Sequence, residues 1–157
     1  MSLLAAYRSA RREEGIARLR RLLVLRAMVA TGMSQREIAD ALGVTQPAVS
    51  QQLKAARELD AVDPELLLDA AGPVLAEMAA ERGYSRLAVF GSLARGQATR
   101  DSDIDLVVEV PAGTSTFDFL RFRQLIENVL GRGVDLVSYG GLKPVLDDDI
   151  RREAVLL

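Results

Sequence analysis

Asp103 and Asp105 flank Ile104 at the start of an apolar run, Ile104 to Val110, that reads as a β-strand. Side chains two apart in a strand project to one face, so the two carboxylates lie side by side. Without a cation such a pair repels and costs stability. The pattern therefore points to a divalent metal held by carboxylates. A matching element precedes it. Val89-Phe90-Gly91-Ser92 is a strand end that runs straight into a helix turn, and ten residues separate Ser92 from Asp103. Gly91 lets a ligand approach the backbone, while the Ser92 hydroxyl and the turn's amides supply donors to phosphate oxygens. A third carboxylate, Asp135, sits between Val134 and Leu136 in the strand pattern Gly133 to Ser138, which can set it beside the first pair. Three acids can hold two metal ions around a triphosphate, as in-line nucleotidyl transfer requires.

Composition narrows the chemistry further. The chain has no Cys and no His. Disulfides, zinc thiolates, cysteine nucleophiles, imidazole acid-base catalysis and Ser-His-Asp triads are all excluded. Any metal should be hard, Mg²⁺ or Mn²⁺. At 157 residues the chain suits one ordinary domain or two small ones and is too short for a barrel enzyme. The net charge of −2 conceals a split: residues 1–60 carry 10 Lys and Arg against 6 Asp and Glu, and residues 61–157 carry 10 against 16. A basic module suited to a polyanion thus precedes an acidic one. Leu22 to Ala30 contains Arg26 and is too short to span a bilayer, so no membrane association and a cytoplasmic location are expected.

Residues 2–30 hold one Gly and no Pro, which predicts one or two helices with Ile16, Leu19, Leu23 and Met28 near one face. Arg18, Arg20, Arg21 and Arg26 read as a solvated face. Ser34-Gln35-Arg36-Glu37 is a capping box that opens a short helix through Leu42. Gly43 permits a left-handed turn, and Thr45 caps a second helix that accepts Pro47 in its first turn. Ile38, Ala39, Leu42, Val44, Val49 and Leu53 have the spacing to pack two crossed helices. Thr45, Gln46, Ser50, Gln51 and Lys54 then face outward, with side chains suited to base edges and phosphates. Ser34 to Lys54 resembles the helix-turn-helix of bacterial repressors.

Pro64 marks a module boundary, and Gly72-Pro73 is expected to interrupt the helix that ends at Gly83. Beyond it the pattern predicts strands at 86–90, 104–110 and 133–138. A helix is expected over 116–130 with Phe119, Phe122, Ile126 and Leu130 inward, and a terminal helix over about 145–155. Arg95 reads either as a triphosphate contact or as cover for the short helix. Asp147 to Asp149 read as helix-dipole acids.

Gly91-Ser92, Asp103-Ile104-Asp105 and the later Asp135 together resemble the polymerase-β-type nucleotidyltransferase superfamily. The stretches 91–96, 101–106 and 134–138 look more narrowly like the minimal nucleotidyltransferases, the MNT antitoxins that work with HEPN toxins. The fold expected is an α+β two-domain chain: an all-α helix-turn-helix module over 1–62 and a small α/β nucleotidyltransferase domain over 63–157. The resemblance implies ATP as substrate, a Mg²⁺ cofactor and adenylyl transfer to a tyrosine of a HEPN-type toxin partner. Asp103, Asp105 and Asp135 would be catalytic metal ligands, Asp135 also helping to activate the hydroxyl, and Gly91 and Ser92 would bind phosphate. Double-stranded DNA is the expected partner of the helix-turn-helix, for autoregulation, and a homodimer is left open. Two other readings stand beside this one: a transcriptional regulator whose nucleotidyltransferase fold senses nucleotide without turnover, and an enzyme acting on a small hydroxyl compound.

Overall fold

The computed structural model describes residues 2–145 and 147–157, apart from the side chains at 56–58. Its first element, α1 (Leu3–Ala30), is a single helix of 28 residues, about 42 Å long at 1.5 Å per residue. Ser2 starts it, its hydroxyl accepting from the Ala5 amide at 3.1 Å. The helix-turn-helix follows as α2 (Gln35–Leu42) and α3 (Gln46–Ala55). Ser34 and Glu37 form the expected capping box, Gly43 takes the left-handed conformation at φ 68°, and the Thr45 hydroxyl accepts from the Ala48 amide at 3.3 Å.

A 3₁₀ turn (Ala56–Ala61) leads into α4 (Pro64–Glu81), whose N-terminal amides of Glu65 and Leu66 are capped by Asp63. Four strands, β1 (Ser85–Phe90), β2 (Ile104–Glu109), β3 (Val134–Ser138) and β4 (Val155–Leu156), form one sheet in the order β3-β2-β1-β4. β2 and β3 are parallel, joined through α6 (Thr116–Leu130); β1 runs antiparallel to both β2 and β4. Two short helices complete the fold, α5 (Gly91–Ala94) and α7 (Asp148–Glu153). Among the described residues no helix is long and apolar enough to cross a membrane.

Strand alternation divides the interior. Leu87, Val89, Ile104, Leu106, Val108, Val134 and Leu136 turn to one face and pack with α4, α6 and the Leu23–Ala27 side of α1. Ala88, Phe90 and Val107 turn to the other face, where Tyr139 and Leu142 cover only part of the sheet. A third cluster joins Leu25 of α1 to Ile38, Ala39 and Val49, with Met28, Met33 and Leu53 against it. Helix α1 is thus a wall of two cores at once.

The structure corrects several details of the sequence reading. Met28 leaves the Ile16–Leu23 side of α1 and joins the helix-turn-helix cluster. Leu42 and Val44 are 50% and 44% exposed, because Leu25 of α1 supplies the third wall that they were expected to provide. The terminal helix covers only Asp148–Glu153, position 146 lies outside the described residues, and Val155 belongs to β4, paired with Val89. Helix α4 also runs unbroken through Gly72 and Pro73.

That last correction has an electrostatic cause. Pro73 has no amide to donate to the Asp69 carbonyl, and its ring crowds the preceding turn. Arg20 fills the gap: its guanidinium donates to the Asp69 carbonyl at 3.0 Å and to the Ala70 carbonyl at 2.9 Å. Arg26 does the same at the open end of α6, donating to the carbonyls of Asn128 at 2.6 Å and Val129 at 2.8 Å. Burial lowers the pKa of this guanidinium from its ordinary value, with Asp60 opposing. Arg132 reaches the carbonyls of Leu59, Asp60 and Val62 at the end of the 3₁₀ turn. Arg20 and Arg26, expected on a solvated face, are therefore backbone caps across the domain junction.

Replacing Arg20 with Ala should destabilise the fold by about 1–3 kcal/mol, the cost of leaving helix carbonyls without a donor. The same replacement in a Pro73→Ala background should cost less, because an alanine at that position restores the missing amide. Urea unfolding of the four chains, read as a double-mutant cycle, checks this; equal costs in both backgrounds would refute the pairing.

Candidate functional site

The strand pattern dictates where the acids go. In β2, Ile104, Leu106 and Val108 point into the main core, so Asp105 must point to the opposite, partly covered face. In β3, Val134 and Leu136 do the same and send Asp135 to that face. The parallel register sets Asp105 directly beside Asp135. On the other side, the antiparallel register opposes Phe90 to Asp105, which brings Gly91 and Ser92 to the same end of the sheet. The chain returns from there through a loop held by the Thr99 amide donating to the Ser102 hydroxyl at 2.8 Å, and this loop delivers Asp103 to the start of β2. Asp103 lies against Gly133, where a Cβ would come within 3.6 Å of its carboxylate.

The five residues Gly91, Ser92, Asp103, Asp105 and Asp135 are thus gathered where three strand ends meet. Asp105 is half-buried, while Asp103 and Asp135 are exposed. Burial raises the Asp105 carboxyl above its usual range, and the neighbouring charges of Asp135 and then Asp103 raise it further; Arg95 opposes them. Like charges this close raise the cost of ionising Asp105, a cost that a bound cation would lower.

Gly91 is required twice over. It adopts φ +72°, and a Cβ there would stand 2.2 Å from Oδ2 of Asp105. The backbone is therefore pressed against the carboxylate, leaving no room for any side chain between this turn and Asp105. Among the described residues no three acids are already gathered at ligand spacing. The donor set is nonetheless all carboxylate oxygen, which suits Mg²⁺ or Mn²⁺, and the exposure of Asp103 and Asp135 leaves them room to turn toward Asp105.

Arg95 forms an ion pair with Glu153 of α7 at 3.1 Å, so it ties the turn after β1 to the terminal helix. Glu153 was missed from sequence because nothing local marks a partner 58 positions away. Asp147 accepts from the Lys143 amide at 2.6 Å and Asp149 pairs with Arg152, both within the terminal segment. Glu109 sits exposed at the far end of β2, 3.8 Å from Arg86.

At the other end of the molecule, Gln46, Ser50, Gln51 and Lys54 line one surface of α3 together with Pro47. Thr45 precedes them as the helix cap, and Gln46 donates to Gln35 at 3.0 Å. Lys54 also borders a wider cleft whose far wall is Glu127 and Asn128 of α6. Arg18 and Arg21 of α1 flank α3 beside Gln52 and Ala55.

Comparison with known proteins agrees with this division. Residues 74–157 match the nucleotidyltransferase domain family, and residues 7–64 match a homeodomain-like domain. A Methanocaldococcus jannaschii protein named as a candidate protein adenylyltransferase is 41% identical over 75 residues, covering 48% of this chain and 81% of its own. The protein adenylyltransferase MntA of Thermococcus cleftensis is 37% identical over 73 residues, covering 46% of this chain and 74% of its own. A solved structure described as a candidate minimal nucleotidyltransferase superposes with a TM-score of 0.55 at 40% identity, over 59% of this chain and 95% of that one.

The raised Asp105 carboxyl fixes the sign of a pH effect. The folded state holds this proton more tightly than the unfolded chain does, so the stability linked to it is present at low pH and lost as pH rises through the raised value. In metal-free buffer, Asp105→Asn should raise the urea midpoint at neutral pH, and the gain should vanish below about pH 4, where the unfolded carboxyl is protonated as well. A midpoint unchanged or lowered at neutral pH would contradict the strained-acid assignment.

Proposed function

Because this chain belongs to the nucleotidyltransferase domain family, we propose that it transfers AMP from ATP to a hydroxyl of another protein, a tyrosine of a HEPN-type toxin. The observation that carries the reading is the in-register pairing of Asp105 with Asp135 beside the close approach of Gly91. The relatives named as protein adenylyltransferases support the choice of AMP and of a protein acceptor. So does the site itself, which lies on the partly covered face of the sheet, where an acceptor carried by another molecule can reach it.

In this reading the backbone at Gly91 and the hydroxyl of Ser92 orient the triphosphate at the strand end. The acceptor oxygen forms a bond to the α-phosphorus while the α–β bridge breaks and pyrophosphate leaves. Asp135, exposed beside Asp105, takes the acceptor's proton. Asp103, Asp105 and Asp135 would hold Mg²⁺ or Mn²⁺, which supplies positive charge to the triphosphate as the bond order changes. The exposed face of α3, with Thr45, Gln46, Ser50, Gln51 and Lys54, reads double-stranded DNA for autoregulation.

Asp103→Asn keeps side-chain size and removes one charge from the set. It should lower AMP transfer on the order of a thousandfold while leaving the far-UV circular dichroism unchanged, and chelator should do the same to the native chain. Mass spectrometry of a co-expressed toxin measures the added AMP. Equal modification by both chains would overturn the assignment, and absence of modification with ATP still bound would favour the nucleotide-sensing regulator.

For the DNA face, Gln51→Ala should relax sequence preference on the upstream operator. Lys54→Ala should weaken all sequences and reduce the salt slope by about one phosphate contact. Salt-dependent binding isotherms distinguish the two variants; salt-insensitive binding by the native chain would point to protein contact instead.

A further inference from the structure

Two exposed features of this chain match each other. The first is the projecting end of α1. From Ser2 to Gly15 every residue is exposed, yet the segment carries Leu3 at 90% exposure, Leu4 at 59% and Tyr7 at 66%. The second is a groove of about 640 Å³ between the later half of α1 and α4. Val24, Met28, Met33, Val74 and Met78 line it, and Glu77 and Glu81 stand in its wall. Three of the chain's four methionines meet there, and their unbranched side chains adapt to whatever apolar group enters.

Both features lie on one seam of one helix. Leu3, Tyr7, Ala10, Glu14, Ala17, Arg21, Val24 and Met28 follow the alternating spacing of four and three that defines a heptad seam. The other sides of α1 are occupied: Leu23 and Ala27 face the main core, Leu25 faces the helix-turn-helix, and Arg26 reaches the end of α6. The seam is apolar at both ends and charged in the middle, acid before base.

Such a pattern is complementary to itself when run antiparallel. Leu3 and Tyr7 of one copy then fall over Val24 and Met28 of the other, and Glu13 and Glu14 face Arg18 and Arg21. The same orientation carries Arg8 to the level of Leu23 and Val24, where Glu77 stands in the wall of the groove.

We propose that two copies of this chain pair through antiparallel α1 helices, the projecting end of each seated in the methionine groove of the other. The contact is two-fold and closed, so it yields a dimer and no larger assembly. Neither the carboxylate site nor the Gln46–Gln51 surface of α3 contributes a residue to the seam or the groove, while Arg18 and Arg21 bring the contact beside Gln52 and Ala55. It stands independently of the reaction the carboxylates perform.

Sedimentation equilibrium of the full chain is the test. The native protein should be a dimer, and Tyr7→Asp should weaken it on the order of a hundredfold with unchanged helix content. Glu13→Arg with Glu14→Arg should give a monomer, as should Arg18→Glu with Arg21→Glu. Mixing these two charge variants in equal amounts should restore a dimer containing one of each, which a merely misfolded variant cannot do. A native monomer at the highest soluble concentration, a dimer indifferent to Tyr7→Asp, or a mixture that stays monomeric would overturn the proposal.

Discussion

Backbone carbonyls without amide partners are what the two halves of this protein are fastened by. A helix end leaves carbonyls unpaired, and an internal proline leaves another; buried at a junction, each is costly unless a donor arrives. Here the donors are guanidinium groups from the other half. Arg20 reaches the turn of α4 before Pro73, Arg26 the end of α6, and Arg132 the end of the 3₁₀ turn that leaves the helix-turn-helix. Arginine suits the task because its planar fork serves two neighbouring carbonyls at once and stays charged when partly buried. These bonds fix α1 against the sheet domain and, through Leu25, fix the helix-turn-helix against α1. The module boundary suggested by Pro64 is therefore a boundary in sequence across which one helix packs on both sides.

The carboxylate site follows from a different constraint, the two-residue period of a strand. Once alternate residues of β2 and β3 fill the main core, the acids between them have only the far face to occupy, and the parallel register leaves Asp105 no neighbour in β3 other than Asp135. The fold accepts a destabilising pair because the core residues on either side hold the strands in place. Gly91 completes the arrangement by removing the one atom that would push the turn after β1 off Asp105.

This logic explains which parts were legible in the sequence. The capped turn and the facing of Asp105 toward Asp135 depend on spacing within or between adjacent elements, and spacing is what a sequence displays; Ser34, Glu37 and Gly43 fall where their local rules put them, while Asp103 lies in the loop just before β2. What escaped reading depends on partners far along the chain. Pro73 looks like a helix breaker until Arg20 is known to supply the missing donor from about fifty positions away. Leu42 and Val44 look like core until α1 takes their place. Val155 and Leu156 form a strand only because the edge of β1 is available to pair with them.

The same partners revise the meaning of the charge split. Counted from the sequence, the first sixty residues carry an excess of four positive charges, which reads as a surface for a polyanion. Arg12 is paired with Asp69 at 2.9 Å on the surface, and Arg20 and Arg26 are turned to backbone carbonyls, so part of that excess is taken up by the protein's own groups. Among the described residues, Lys54 is the cation on the outward surface of α3, with Arg36 exposed on α2 and Arg18 and Arg21 of α1 at the flank of α3. A polyanion docked on the Gln46–Lys54 surface would thus meet one lysine among several amide and hydroxyl groups, a balance that gives base-edge contacts weight beside phosphate neutralisation. Two copies held by their α1 helices would present two such faces in one fixed relation. Affinity could then come from simultaneous engagement of two weak sites, without requiring either copy to be strongly basic.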